Sequence, residues 1–326
     1  MEKGRYNKIS DVKGIKVGHK TLADGNIQTG VTVLLPSNGN IFKEKWAAAS
    51  YVINGFGKTS GLVQIDELGS LESLIGLTNT LSVGTVQQAI VKYMLKKNPE
   101  IGVTTGTINT VVGECNDGYL NDIRSCIIQE QDVYDAIENA CEDFALGAVG
   151  AGRGMSCFQM KGGIGSASRL VTIDDSTYTI GALVLTNFGL QKDFILEHID
   201  IASIDDIEKG SIIMILATDI PMSSRQLKRM CKRMPIALGR LGSYMGNGSG
   251  DIVIAFSTGN VLPHTKTTAI QTMHILHEDA IDLVFRGAIE ACEEAILTSM
   301  YESETVIGRE GNKRLSLKDT LVQINT

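Results

Sequence analysis

The sequence predicts an α+β fold in which helices are layered on largely antiparallel sheets. Strand-like and helix-like segments come in blocks, without the strict βα alternation of a doubly wound parallel sheet. Glycine is abundant, 35 residues against 5 prolines, which implies close backbone approaches and special turns. The run Ser211-Ile212-Ile213-Met214-Ile215-Leu216-Ala217-Thr218-Asp219-Ile220-Pro221 reads as a buried strand entered through a glycine, Gly210, and a hydroxyl.

Each element follows from local pattern. Residues 9–36 read as short strands broken by glycine: Ile9-Ser10-Asp11-Val12, then Ile15 to His19, then Thr29 to Leu35 with Pro36 as a stop. Small and β-forming residues follow over 46–65, around the turn signal Asn54-Gly55-Phe56-Gly57. A helix is expected from Val86 through Met94, ending at Lys96-Lys97-Asn98-Pro99, because basic residues and a following proline suit a helix C-terminus. Residues 101–128 return to β-like composition around Val111 to Glu114. A second helix is predicted with Val133, Ala136, Ile137, Ala140 and Phe144 on one face and Gly147 closing it.

The densest glycine region, 147–165, precedes a hairpin of residues 169–173 and 178–185, turned by Asp174 to Thr177. Residues 190–210 read as a polar surface loop with a short helical turn, and Asp206, Glu208 and Lys209 make a charged lead-in to Gly210. After the Ser211 strand, Ser223 or Ser224 caps a basic helix that runs to about Arg233 and stops near Pro235. Gly246-Asn247-Gly248-Ser249-Gly250-Asp251 then leads into a strand over 252–257. A long helix from Ala280 to Thr298 closes the core. The whole chain, 1–326, reads as one domain.

Composition narrows the function. A net charge of −7 gives no basic patch for nucleic acid, and no apolar run approaches a membrane span. The six cysteines (115, 126, 141, 157, 231, 292) are scattered without CxxC or Cys/His clustering. That makes a zinc site unexpected and points to a reduced, cytoplasmic chain. The N-terminus lacks the apolar core of a signal peptide.

Three chemistries compete for the remaining signals. Lys161-Gly162-Gly163-Ile164-Gly165-Ser166-Ala167-Ser168 invites a phosphate-loop reading, but lacks the Gly-Lys-Ser/Thr ending and is followed by a strand, not a helix. Tight turns between packed sheets explain it better. There is no GxSxG elbow, and the five histidines (19, 198, 264, 274, 277) carry no triad pattern. An N-terminal nucleophile needs no histidine. A freed α-amine, with a pKa of roughly 7.7–8.0, can take the proton of its own hydroxyl. Gly210-Ser211 suits that scheme, since glycine leaves the carbonyl unshielded and the strand fixes the hydroxyl. Taken locally, Gly-Ser before a strand is also a common loop end.

From about Asp11 to Gly308 the chain resembles the self-processing aminopeptidases of the DmpA and β-aminopeptidase type. The matching pieces are Asp11-Val12-Lys13-Gly14-Ile15-Lys16-Val17-Gly18-His19, Asn54-Gly55-Phe56-Gly57, Leu77-Thr78-Asn79-Thr80 and Glu114-Cys115-Asn116-Asp117-Gly118-Tyr119-Leu120-Asn121-Asp122. Further on come Lys161-Gly162-Gly163-Ile164-Gly165, Thr186-Asn187-Phe188-Gly189, Gly210-Ser211, Gly246-Asn247-Gly248-Ser249-Gly250-Asp251 and Ala255-Phe256-Ser257-Thr258-Gly259-Asn260. Each is short, and their shared order is the specific signal.

The resemblance implies a four-layer αββα sandwich, similar to N-terminal nucleophile hydrolases but differently connected. It implies autocleavage at Gly210-Ser211 into 1–210 and 211–326, and homo-oligomers of the cleaved pairs. It also implies release of an N-terminal residue from small peptides, aminoacyl amides or esters, without metal or cofactor. Carried over by motif, Ser211 is the nucleophile, and Ser249 and Asp251 assist proton transfer. Asn187 donates to the oxyanion, and Glu114 receives the substrate's α-ammonium.

Two departures stand out. Asn116 replaces a tyrosine found in some members at that substrate contact, and Lys58 follows Asn-Gly-x-Gly where several have an acid. Two other functions compete: an acyltransferase resembling the ornithine acetyltransferases, which cleave before threonine, and a non-catalytic peptide or amino-acid binding member.

Overall fold

A computed structural model describes residues 1–36, 39–195 and 210–324. The lead-in Asp206, Glu208 and Lys209, and His198, lie outside the described residues. In chain order the elements begin with β1 (Ile15–Asp24), β2 (Ile27–Pro36), β3 (Glu44–Gly55), α1 (Leu62–Leu68), β4 (Ser70–Leu71) and β5 (Ile75–Asn79). Next come α2 (Val83–Lys97), β6 (Val111–Cys115), α3 (Glu130–Glu138), β7 (Ser156–Cys157), β8 (Met160–Lys161), β9 (Ile164–Ile173) and β10 (Ser176–Asn187). After these stand β11 (Ser211–Thr218), α4 (Ser224–Cys231), α5 (Met234–Arg240), β12 (Gly250–Pro263) and α6 (Ile281–Tyr301). A small hairpin of β13 (Val306–Ile307) and β14 (Lys313–Arg314), then α7 (Leu317–Ile324), end the description.

Two sheets form the middle of the fold. One has strand order β1-β2-β5-β6 and the other β4-β3-β12-β11-β10-β9. Pairing is antiparallel except β5 with β6 and β11 with β12. Helices α2 and α3 cover the first sheet, and α4 and α6 the second. The architecture is therefore the four-layer αββα sandwich.

Strand β11 shows why the layers hold. All eight of its residues are buried, as expected for a strand covered on both faces. Because strand side chains alternate, Ile213, Ile215 and Ala217 join the core shared with the first sheet and α2. Ile212, Met214 and Leu216 join the core under α4, α5 and α6. Each fully buried large aliphatic side chain contributes about 1.5–3 kcal/mol.

Several local expectations are corrected. Ile9–Asp11 is a 3-10 turn, not a strand, because the Asp11 carboxylate accepts the Tyr6 and Lys8 N–H groups at 2.9 and 3.1 Å and curls the chain. Helix α3 ends at Glu138, short of Phe144, because Cys141 is drawn into a two-bond bridge with Val17 on β1. The hairpin turn contracts to Asp174-Asp175, with Asp174 at φ +49°. Ser223 caps α4 as expected, but Pro235 lies in the first turn of α5. There its missing N–H is not needed. Of the loop after residue 190, Gln191–Asp193 forms a 3-10 turn.

Candidate active site

Three neighbouring strands bring Asn187, Ser211 and Gly250 side by side. Asn187 ends β10 opposite Ser211, the first residue of β11, and Ser211 is in register with Gly250 at the start of β12. The chain reaches Ser211 through a tight passage. A Cβ on Gly210 would fall 2.4 Å from the Asn187 carbonyl oxygen and 2.7 Å from the Phe188 Cα, so only glycine fits without displacing backbone.

Ser211 is 5 % exposed. Its Oγ donates to the Gly210 carbonyl oxygen at 2.6 Å and accepts the Gly250 N–H at 3.3 Å. The same Gly250 N–H also reaches the Gly210 oxygen, at 3.1 Å. The hydroxyl thus lies against the carbonyl of its own preceding peptide bond, and a backbone donor is aimed at that oxygen. Beside it, Ser249 and Asp251 are both buried. A carboxylate can only accept, so Ser249 Oγ donates to Asp251 Oδ1, at 2.6 Å. That leaves the Ser249 lone pairs able to accept a further proton donor.

Asn187 is oriented from both ends. Its Oδ1 accepts the Ser156 N–H and its Nδ2 donates to the Asn116 carbonyl, each at 2.9 Å. An N–H on one side and a carbonyl on the other assign the amide without ambiguity. Asn116 itself is exposed and acts here through its backbone, while its side chain accepts the Gly118 N–H.

Glu114, on β6 of the other sheet, is 2 % exposed. Its Oε1 accepts the Lys58 backbone N–H at 2.8 Å, and its Oε2 accepts the Thr80 hydroxyl. The turn after β3 joins it to the Ser211 side. A Cβ on Gly57 would lie 3.6 Å from the Gly250 Cα and 3.8 Å from Glu114 Oε1. Lys58 is therefore part of this wall by its amide, while its ammonium sits 4.2 Å from the centre of the exposed Phe56 ring. The Asn54 side chain supports the opposite turn through the Met245 and Gly246 carbonyls.

Other reactive groups are occupied elsewhere. The Cys115 thiol is pushed well up by burial and then by the charges of Glu114 and Asp251, which keeps it protonated. His19 bonds Thr32 and the Ala145 carbonyl, and His264 bonds Thr105. Among the described residues no group of three or more His, Cys, Asp or Glu could hold a metal ion, and no helix is long and apolar enough to cross a membrane.

Ser211, Ser249, Asp251, Asn187 and Glu114, all singled out from the sequence, therefore gather at one end of the two sheets. The roles of Thr80, Ser156 and the Lys58 N–H come from the structure alone: Thr80 lies in a matching motif that gives it no role, and Ser156 carries no sequence signal.

The profile of peptidase family S58 matches residues 7–314. The β-peptidyl aminopeptidase BapA of Sphingosinicella microcystinivorans is 33% identical over 339 residues, covering 94% of this chain and 84% of that protein. Among solved structures, the PH0078 protein of Pyrococcus horikoshii OT3 superposes with a TM-score of 0.92 at 46% identity, covering 99% of this chain and 94% of that one. The L-aminopeptidase D-Ala-esterase/amidase of Ochrobactrum anthropi, described as a prototype serine aminopeptidase with a variant of the Ntn hydrolase fold, gives 0.91 at 30% identity, covering 99% and 94%. With a profile spanning nearly the whole chain and a relative aligned over most of both lengths, the chain belongs to peptidase family S58.

Proposed function

We propose that this chain is an autoprocessed serine aminopeptidase whose nucleophile is Ser211. It acts as one unit, cut into 1–210 and 211–326, on small peptides and aminoacyl amides or esters. The observation that carries the reading is the Ser211 hydroxyl 2.6 Å from the Gly210 carbonyl oxygen, with the Gly250 N–H shared between the two.

Processing starts when Ser211 Oγ adds to the Gly210 carbonyl carbon. Charge develops on the Gly210 oxygen, where the Gly250 N–H already points. The Oγ proton passes to the Ser211 nitrogen as the C–N bond breaks, and an ester joins the two pieces. Water cleaves that ester to the Gly210 carboxylate and a free Ser211 amine.

In turnover the Ser211 amine accepts the Oγ proton as Oγ attacks the substrate carbonyl. The Ser249–Asp251 pair lies alongside to hold and orient the amine. The Asn187 amide has one N–H committed to Asn116 and offers the second to the oxyanion. Glu114, buried and already fixed by two donors, pairs with the substrate's α-ammonium. The leaving amine takes the proton, and water then releases the acyl group.

The six cysteines, none of them in a disulfide, fit a reducing, cytoplasmic setting. Association of the cut pairs into a homo-oligomer belongs to the same reading and is measured by sedimentation of the processed protein. The activity test is a panel of aminoacyl p-nitroanilides. The wild type should turn over at least one, and Ser211→Ala should turn over none while remaining a single uncut chain. Equal turnover by Ser211→Ala would exclude it as nucleophile.

A further inference from the structure

Lys161, in the glycine-rich stretch that the nucleotide reading left unexplained, is completely buried. Its ammonium donates to three backbone carbonyls: Gly152 at 2.9 Å, Met155 at 2.8 Å and Gly162 at 2.5 Å. A lysine ammonium has three N–H donors and no acceptor, so all three are matched. Among the described residues no carboxylate lies within ion-pair distance of it. Burial pushes its pKa well down, yet a neutral amine would leave one of the three carbonyls without its donor. A buried cation without a counter-charge is costly, and tight turns alone do not require one.

The geometry of one peptide unit supplies a reason. The Met155 carbonyl accepts from Lys161, and the N–H of that same peptide, on Ser156, donates to Asn187 Oδ1 at 2.9 Å. In a trans peptide those two groups point in opposite directions. Ammonium, peptide and carboxamide therefore stand in a single series of hydrogen bonds, all running the same way. A chain of this kind polarises along its length, and the low dielectric of a buried site strengthens the effect. The positive charge is at its head, and the Asn187 NH₂ is at its tail.

The surrounding segment is closed onto the same strand end. Phe158 N–H reaches the Phe188 carbonyl at 2.6 Å, and Gly163 and Thr186 exchange backbone and hydroxyl bonds.

We propose that Lys161 is a positioning residue for the oxyanion donor, fixing and polarising the Asn187 amide through the Met155–Ser156 peptide. The proposal rests on the aminopeptidase reading and on Asn187 as the donor within it. The test is a double-mutant cycle on processed enzyme, with kcat and KM measured for the wild type, Lys161→Gln, Asn187→Ala and the double variant. Glutamine removes the charge but keeps two N–H donors for the carbonyls.

Lys161→Gln should lower kcat on the order of tenfold, less than the ~10²–10³-fold expected for losing the donor itself, with KM within about twofold. In the Asn187→Ala background it should have no further effect, because its only route to the oxyanion is gone. The same loss in both backgrounds, or a loss confined to KM, would overturn the proposal and leave Lys161 as a loop clamp. If Lys161→Gln does not fold, Ser156→Pro removes the joining N–H with Lys161 in place, and Ser156→Ala, which loses only the hydroxyl that accepts from Arg314, is its control. Ser156→Pro should lower kcat in the same way, and an unchanged kcat overturns the proposal. A wild-type chain that is cut but turns over no aminoacyl amide would instead sink the aminopeptidase reading itself, and the role given to Lys161 with it.

Discussion

Glu114 shows how much of the site is set by what surrounds a single side chain. The common fate of a glutamate is a solvated loop, but this one is on a buried strand with both oxygens engaged, by the Lys58 amide and the Thr80 hydroxyl. Such a carboxylate is already ordered before substrate arrives, so little entropy is lost when it meets an ammonium. Glu114→Gln should therefore lower kcat/KM by about 2 kcal/mol, roughly thirtyfold, mostly through KM. Self-cleavage, which involves no substrate ammonium, should proceed as in the wild type. Steady-state kinetics together with a gel of the purified variant check this, and a fall in kcat alone would remove Glu114 from ammonium binding.

That Ser211, Asn187, Ser249, Asp251 and Glu114 belong together is legible through motif order and not through local chemistry, while their roles belong to the proposed function. Gly210-Ser211 by itself looked like a loop end. What could not be read was the support around them. Ser156 matters because its N–H meets Asn187, and Thr80 because its hydroxyl meets Glu114. Both contacts depend on strand register and loop paths that no spacing rule encodes.

At the scale of elements, periodicity was reliable where an element's own burial decides its form. The apolar run of β11 and the long faces of α2 and α6 appear where the pattern placed them. It failed where a contact from elsewhere decides. Helix α1 is not among the predicted elements because it is seven residues long and starts from Gly61 at φ +87°, packed against the Thr110 carbonyl. The early end of α3 is set by β1, through the Val17–Cys141 bridge.

The edge of β1 and β2 also carries a pH-sensitive contact. The Ala145 carbonyl can only accept, so His19 Nε2 holds the proton and Nδ1 accepts from Thr32. Burial brings the His19 pKa down to about 4, against the partial opposition of the Ala145 bond. Its folded pKa is thus below the unfolded value of about 6.5. The unfolded chain binds more protons between these values, so stability is present above about 6.5 and is lost as pH falls through about 4. The full loss is on the order of 3 kcal/mol at most. Denaturant melts from pH 7 to pH 4 should show this slope, flattened in His19→Gln. An equal slope in the variant would place the acid sensitivity elsewhere.

Across the whole molecule, the proposed cut at Gly210-Ser211 would divide labour between the two pieces without separating them in space. Residues 1–210 contribute Glu114, Asn187 and Lys161, whereas 211–326 contribute Ser211, Ser249 and Asp251. The pieces share the sheet through β10 with β11 and β3 with β12, and both cores draw on side chains from each. That interleaving explains how the pair would stay folded after the peptide bond is broken, and why neither piece should be active by itself.

We propose that the chain cuts itself between Gly210 and Ser211 and then uses the freed serine. Mass spectrometry of the purified protein under denaturing conditions tests it most directly. Two species are expected, with masses matching residues 1–210 and 211–326, the second beginning with an unblocked serine, and a single full-length species for Ser211→Ala. A wild-type chain that stays at full length while hydrolysing aminoacyl amides would contradict it.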